Sequence, residues 1–329
     1  MVASMRENIR SNRFSCPMTA LAPPTLDPIA AERWRNLPQT LAPWLHEEVA
    51  QRMLARLDYI KTVPGVWLDW GPVRGGLGVN RQLQQRFSSA KVWVREANAD
   101  AARQSALALT PPFWSAARWR RGRVQAYVDG EASVDMIWSN MALHMDEAPG
   151  QTMARWQESL KTGGFLMFSC LGPDTLRELR LAYRDLNWPE PSHAYTDMHD
   201  LGDMLVKAGF AEPVMSMERL TLTYSSAEAL LAELRTLGRN LSAGRFGALR
   251  ARSWRKRWLQ EMGQRLADPA NGGRLGLSFE VVYGHAFKAG ASPGPQAQAQ
   301  TAVSLDEVRL ALVNARKRSG EKPAADARQ

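Results

Sequence analysis

Cysteine is nearly absent. Cys16 and Cys170 are the two thiols in 329 residues, too few for a disulfide framework, and they suit a reducing cytoplasm. Long apolar runs are absent too: no stretch approaches the ~18 uninterrupted apolar residues of a membrane span. Arg6, Arg10 and Arg13 precede no apolar run, so the N-terminal residues do not read as a secretory leader. Acid is missing from two stretches. Between Ala101 and Val128 lie Arg103, Arg118, Arg120, Arg121 and Arg123, and between Arg239 and Arg257 lie Arg245, Arg250, Arg252, Arg255 and Lys256, with no Asp or Glu in either. With a formal net charge of +9, such a field suits nucleic acid, anionic lipid or an acidic protein, or is a solvated helix face rich in arginine. No zinc-finger spacing or RNA-binding signature accompanies it, and an acidic protein is the preferred partner. Ser-His-Asp, P-loop and His-Glu-x-x-His signatures are absent as well, so no catalytic residue is assigned.

An apolar content of 45% is present and is that of a globular chain. From Trp44 to Ile60, Leu45, Val49, Met53, Leu54 and Leu57 recur at helical spacing. Val66–Trp70, Val92–Val94, a weaker Val124–Val128, Val134–Ser139 and Phe165–Ser169 then read as strands alternating with helical stretches, with Gly163-Gly164 as the turn out of the preceding helix. This alternation predicts an α/β fold, a doubly wound and mostly parallel sheet with helices on both faces. Pro213–Tyr224 and Leu275–Phe287 read as two longer strands. Between them, 226–268 is a basic helical insertion before the last strand, a candidate lid or partner-binding element. Residues 1–27 and 289–329 read as flexible flanks of a 28–288 domain, with a short helix over 305–317.

The densest signal is Leu68-Asp69-Trp70-Gly71-Pro72-Val73-Arg74-Gly75-Gly76. A strand, an acid and close glycines let a backbone approach a ligand; the alternative is a tight strand-to-helix turn. Asp135 reads as the end of a turn before the fourth strand. Asp174 and Thr175 read as N-caps after Pro173, and Asp200 and Asp203 as helix-start residues. Arg177 and Arg180 share one helix side, either facing a carboxylate or phosphate or simply solvated. His193, Asp197, His199, Asp200 and Asp203 raise a metal set, but their spacing matches no ligand motif and no metal is assigned.

Several longer runs resemble one family. They are Val134-Asp135-Met136-Ile137-Trp138-Ser139-Asn140-Met141-Ala142-Leu143-His144, Leu160 to Ser169, Leu171 to Arg180, Asp197 to Asp203, and Phe279 to Ala286. In this order, over roughly 46–288, the chain resembles the BioC-type malonyl-acyl-carrier-protein O-methyltransferases of biotin synthesis. It is also similar to the mitochondrial complex I assembly factors built on the same fold. The resemblance implies a seven-stranded methyltransferase (Rossmann-like) sheet with S-adenosyl-L-methionine across the strand ends. It places Gly71 and Gly75 as the first and third loop glycines. Asp69 takes the methionine amino group, Glu96 the ribose hydroxyls, and Ser139 and Asn140 close the pocket. It implies an acidic acyl carrier protein as partner, which Arg239, Arg245 and Arg250 would dock, and neither a membrane nor, given Ser139-Asn140-Met141-Ala142 at strand four, nucleic acid.

Three departures bear on activity. Val73 stands at the middle glycine, and a β-branched residue held at φ > 0 costs ~1–3 kcal/mol, about tenfold to a hundredfold in affinity. Pro72 removes a backbone donor, and the acid expected after strand three is missing from 101–128. Stacking on Arg74, Trp70 or Trp93 would offset these losses. The competing expectation is therefore a methyltransferase-fold assembly or binding factor without catalysis; methylation of another carboxylic acid or of a protein side chain is a third.

Overall fold

The apolar runs fall into a single mixed sheet. The computed structural model describes residues 26–290, apart from 39–40, 122 and 131–132. Most of the expected N-terminal flank, the tail beyond 290 and the expected helix at 305–317 lie outside the described residues. The strands are β1 (Val66–Trp70), β2 (Lys91–Arg95), β3 (Gln125–Ala126), β4 (Val134–Ser139), β5 (Leu160–Leu171), β6 (Phe210–Tyr224), β7 (Ala267–Asp268) and β8 (Arg274–Lys288). They are ordered β3-β2-β1-β4-β5-β8-β6, with β7 pairing off this path on β8. β1 to β5 run parallel and β8 runs antiparallel to both its neighbours. The main path thus gives the expected sheet, and the two-residue β7 is an addition to it.

The period-two alternation of the strands sorts their side chains onto two cores. Trp67, Val92, Val94, Met136, Trp138, Phe165 and Met167 face α2 (Trp44–Arg56), α4 (Leu77–Arg86), α5 (Ala99–Leu109), α8 (Arg177–Asp185), α10 (Ala227–Leu237) and α11 (Arg252–Arg265). Leu68, Trp70, Ile137, Leu166 and Phe168 face α7 (Pro149–Ser159) and α9 (Met198–Lys207). Shorter helices α1 (Pro28–Arg35), α3 (Pro72–Gly75) and α6 (Ala116–Arg121) complete the described set. Helix starts follow cap chemistry: Asn98, Asp197 and Ser226 each accept a first-turn N–H.

Some local expectations are corrected. Gly163-Gly164 do not end a helix; they sit inside β5, where the register against β4 shifts. Gly163 is at φ 77°, and a Cβ on Gly164 would stand 3.0 Å from Asp135 O, so the pair forms a bulge. Asp135 lies within β4, and its carboxylate accepts from Gly65 and Val66 N–H while pairing with Lys161. Asp174 and Thr175 cap nothing: α8 starts later, at Arg177. Asp174 pairs with Arg219, and Thr175 Oγ1 donates to Glu280 O. Asp197, not Asp200 or Asp203, caps α9.

The chain leaves β1 outward to β2 and β3, then returns to β4 on the other side of β1. That reversal opens a crevice at the carboxyl ends of β1 and β4. β5 finishes at this same end. There, too, β6 ends at Tyr224, paired with Leu275 near the start of β8, so the α10–α11 insertion stands over the crevice end of the sheet.

Candidate active site

The glycine loop opens directly from β1. Gly71 takes φ 82°, and a Cβ placed on it would meet nothing within 4 Å. Its N–H donates to Arg95 O at 2.8 Å, joining the ends of β1 and β2. Pro72–Gly75 then wind one helical turn, and Gly76 turns again at φ 124°. Gly76 and Gly78 admit the Glu47 carboxylate, which a Cβ on either would meet at 2.9 Å.

Val73 is therefore not strained. It lies within the helical turn and is not among the positive-φ residues; its N–H donates to Glu96 Oε1 at 3.0 Å. Pro72 sits at the first helical position, where its missing N–H has no intrahelical partner to lose. The left-handed turns have moved to Gly71 and Gly76, so the expected strain penalty disappears.

Asp69, at the end of β1, is 2% exposed. Its Oδ2 accepts from Asn80 Nδ2 at 2.6 Å, and Gln84 donates to Asn80 Oδ1 behind it. Burial pushes the Asp69 carboxyl up to about 8, with the Asn80 hydrogen bond pulling back and the charges of Glu96 and Glu47 adding to the rise. Glu96, just past β2, accepts from Val73 N–H and Ser105 Oγ, both at 3.0 Å and both on Oε1. Burial raises its carboxyl as well, and those two hydrogen bonds oppose the rise. No hydrogen bond reaches Glu96 Oε2 or Asp69 Oδ1 among the described residues.

Asn140 works as a strut. Its amide donates to His46 O and Gly75 O, and its Oδ1 accepts from Ser169 Oγ at 2.6 Å. It ties the loop to α2 and β5 and leaves little free for a ligand. Ser139 is fully buried with its Oγ unpartnered. The structure thus brings Asp69, Gly71, Gly75, Glu96, Ser139 and Asn140 to one crevice.

It also adds His46, His144 and Tyr195, to which the sequence reading gave no role, and joins to them His193, raised there only in a metal set. His46 Nδ1–H donates to Arg74 O at 2.8 Å, which leaves Nε2 as a buried, unpartnered acceptor. His193 Nε2–H donates to His144 O at 3.0 Å, and Nδ1 accepts from Leu241 N–H. The ring of His144 stands 6.5 Å from that of His46 and 5.9 Å from Tyr195. Burial lowers His46 and His193 to about 4 and drives His144 well below the usual range, so the group is neutral. Its members come from three separate segments; the one local hint is that His46 shares the inward face of α2 with Leu45, Val49 and Met53.

Arg74 stacks 3.8 Å over Trp34 and donates from Nη2 to Trp34 O and Leu37 O. β3 is shorter than expected, and Asp129 follows it directly beyond Val128, paired with Arg95. Trp70 packs on Trp156 and under Arg95, so it is core and not a stacking platform. Arg180 donates to Ser192 Oγ, Pro173 O and His193 O, a structural clamp and not a solvated face. Arg245 is already paired with Asp27 at 2.7 Å. Arg250 stacks over Phe246 at 3.5 Å, and Arg239 lies 5.9 Å from the Trp34 ring. Among the described residues no helix is long and apolar enough to cross a membrane.

No family model matches the chain. Curated relatives do. The malonyl-[acyl-carrier protein] O-methyltransferase of Gallionella capsiferriformans is 38% identical over 74% of this chain and 84% of its own length. That of Laribacter hongkongensis is 36% identical over 76% and 84%. The chain belongs to the malonyl-[acyl-carrier protein] O-methyltransferase family. Membership agrees with the sequence resemblance and does not favour the catalytically degenerate alternative. Among solved structures, 1,6-didemethyltoxoflavin-N1-methyltransferase of Burkholderia thailandensis is 18% identical at a TM-score of 0.39, covering 75% of this chain and 81% of its own. That likeness is too distant to carry an argument.

Proposed function

We propose that this chain methylates the free carboxylate of malonyl-acyl carrier protein in the cytoplasm, as a step of biotin synthesis, with S-adenosyl-L-methionine as donor. The observation that carries the reading is the convergence of Asp69, Glu96 and the open Gly71 turn on one crevice in a chain 38% identical to an enzyme of that name. The residues fit the donor. Gly71 leaves room for close approach, Ser139 Oγ is an orphan in the buried wall, and two carboxylates each keep an oxygen free.

In this reading Glu96 Oε2 accepts the ribose hydroxyls and Asp69 Oδ1 the methionine ammonium, while Gly71 and Gly75 admit the ligand and Ser139 and Asn140 close the wall. When bound, the donor supplies a sulfonium methyl, an electrophile that needs only an aligned nucleophile. The malonyl carboxylate is already ionised, so no general base is required; the protein contributes alignment and exclusion of water. The neutral imidazoles of His46, His144 and His193 suit that task, since none places a cation against the nucleophilic lone pair. The domain spans 28–288, with 226–268 as its insertion. The acidic carrier protein docks on Arg239 and Arg250 together with the Arg252, Arg255, Lys256 and Arg257 positions of α11; Arg245 drops out because Asp27 already neutralises it.

The test is calorimetric titration with S-adenosylhomocysteine, with Glu96→Ala as control, followed by methyl transfer to malonyl-acyl carrier protein. Micromolar binding that is lost in the control, together with ester formation, is expected. Absence of binding at millimolar ligand would refute the reading.

A further inference from the structure

A cavity of about 480 Å³ opens between α8, α10 and the start of α11. Its walls are apolar and aromatic, with Tyr183, Leu231, Leu234 and Trp254 among them, and Arg235 and Arg239 stand at it. The volume lies within the ~300–1,000 Å³ of sites that take small organic ligands. The wall is built and not an accident of loose packing: Trp258 Nε1 donates to Tyr183 Oη at 2.7 Å, and Trp188 packs edge-to-face on Tyr183 and at a tilt on Trp254.

The cavity adjoins the active-site crevice. Gly238 lines it, and a Cβ there would stand 3.3 Å from Met145 Cε, beside His144. Asn240, another lining residue, precedes Leu241, whose N–H is held by His193. Arg239 faces Trp34, whose ring also lies against Arg74 of the glycine loop. Neither Arg235 nor Arg239 is in an ion pair among the described residues; Arg239 Nη1 donates to the backbone oxygens of Arg235 and Gly238, and both side chains are exposed. An apolar slot leading to the crevice, with two guanidiniums on it that pair with no carboxylate among the described residues, fits a ligand that is a flexible chain with an anionic group.

We propose that this cavity holds the phosphopantetheine arm of the acyl carrier protein, its chain against Leu231, Leu234 and Trp254 and its phosphodiester at Arg235 and Arg239, so that the thioester end reaches the crevice. The inference rests on the malonyl-thioester reading above and adds where the arm lies. Charge complementarity names the occupant: the same face carries the basic α11, so a carrier docked there would present its arm at the cavity.

The experiment compares two free thioesters, malonyl-phosphopantetheine, which has the arm but no carrier protein, and malonyl-N-acetylcysteamine, which lacks most of the arm. Leu234→Trp fills the cavity. It should raise KM for the arm-bearing thioester about tenfold or more, leave the short thioester unchanged and leave S-adenosylhomocysteine binding intact. An unchanged KM for the arm-bearing thioester, or an equal shift for both, overturns the proposal. Should Leu234→Trp fail to fold, the exposed double variant R235E/R239E reads the same contrast: a selective rise in KM supports the proposal and no rise overturns it. A wild-type protein that binds S-adenosylhomocysteine but methylates neither thioester nor the loaded carrier overturns the functional reading itself, and the arm site with it.

Discussion

At Asp69 stability and binding pull in opposite directions, and Asp69→Asn should separate them. The carboxyl is 2% exposed and accepts from Asn80 Nδ2, and burial lifts it from 3.8 to about 8. The folded protein therefore holds this proton more tightly than the unfolded chain. The stability that follows is fully present below pH about 4 and is lost as pH rises through about 8. Across that window the slope approaches ~1.4 kcal/mol per pH unit, so between pH 5 and 8 the wild type should lose on the order of 3 kcal/mol relative to the variant. The amide keeps the contact by presenting its Oδ1 to Asn80. His46 and His193, lowered to about 4, act in the other sense: their stability is present above pH 6.5 and is lost as pH falls. They are common to both proteins and cancel in the difference. Urea unfolding of the pair at pH 5, 6, 7 and 8 is the assay. A stability difference that stays flat across this range would refute the burial argument.

Binding should move the other way. An amide offers no charge to an ammonium group, and a hydrogen bond to a charged partner is worth ~1.5–3 kcal/mol. Asp69→Asn should then weaken S-adenosylhomocysteine about tenfold to a hundredfold while making the ligand-free protein more stable at pH 8. In the wild type at pH 7, the arriving ammonium should expel the Asp69 proton, and titrations in buffers of different ionisation enthalpy would register it. Equal affinity in the two proteins would remove Asp69 from the cofactor site.

Val73→Gly should cost ~0.5–1 kcal/mol of stability, as glycine does within a helical turn, and leave the S-adenosylhomocysteine Kd within about twofold; a tenfold tighter Kd would restore the strain argument. Gly284→Ala should be destabilising by ~1–3 kcal/mol, because its Cβ would stand 2.3 Å from Phe168 Cε1 and 2.8 Å from Met215 Sδ. An unaltered Tm would contradict the close packing of β5 on β8. The charge reversal R250E/R255E should weaken malonyl-acyl carrier protein binding at low salt and flatten its salt dependence while sparing S-adenosylhomocysteine; an unchanged salt slope would move the docking face elsewhere.

What the sequence made legible was whatever is local. Apolar runs gave β1 and β4 to the residue and β6 and β8 to within three, and an acid followed by close glycines located Asp69 and Gly71. The misreadings share a cause: a motif fixes residue types but not which residue takes the unusual backbone. Glycine at 76 let the second left-handed turn fall after Val73 instead of on it, and Pro72, read as a lost donor, became the natural first residue of α3. β3 was overextended for a related reason. Val124–Val128 looks like a strand by composition, but an edge position with Val128 58% exposed leaves no second neighbour to prolong it.

The rest of the site was illegible because its contacts are long-range. His46, His144, His193 and Tyr195 meet only after α2, the end of β4 and the segment ahead of α9 have converged, and no spacing along the chain marks them. Asn140 shows the same point from within a recognised motif. Read along the sequence, it is a pocket residue at the end of strand four; in the fold its amide is committed to His46 O and Gly75 O. Its main effect is to tie the glycine loop to α2 and β5. Asn140→Ala should therefore act through the loop. Two buried carbonyls would lose their donor at ~1–3 kcal/mol each, and both stability and S-adenosylhomocysteine affinity should fall. A residue that only touched ligand would lose affinity with an unchanged Tm, and that result would return Asn140 to the role its motif suggests.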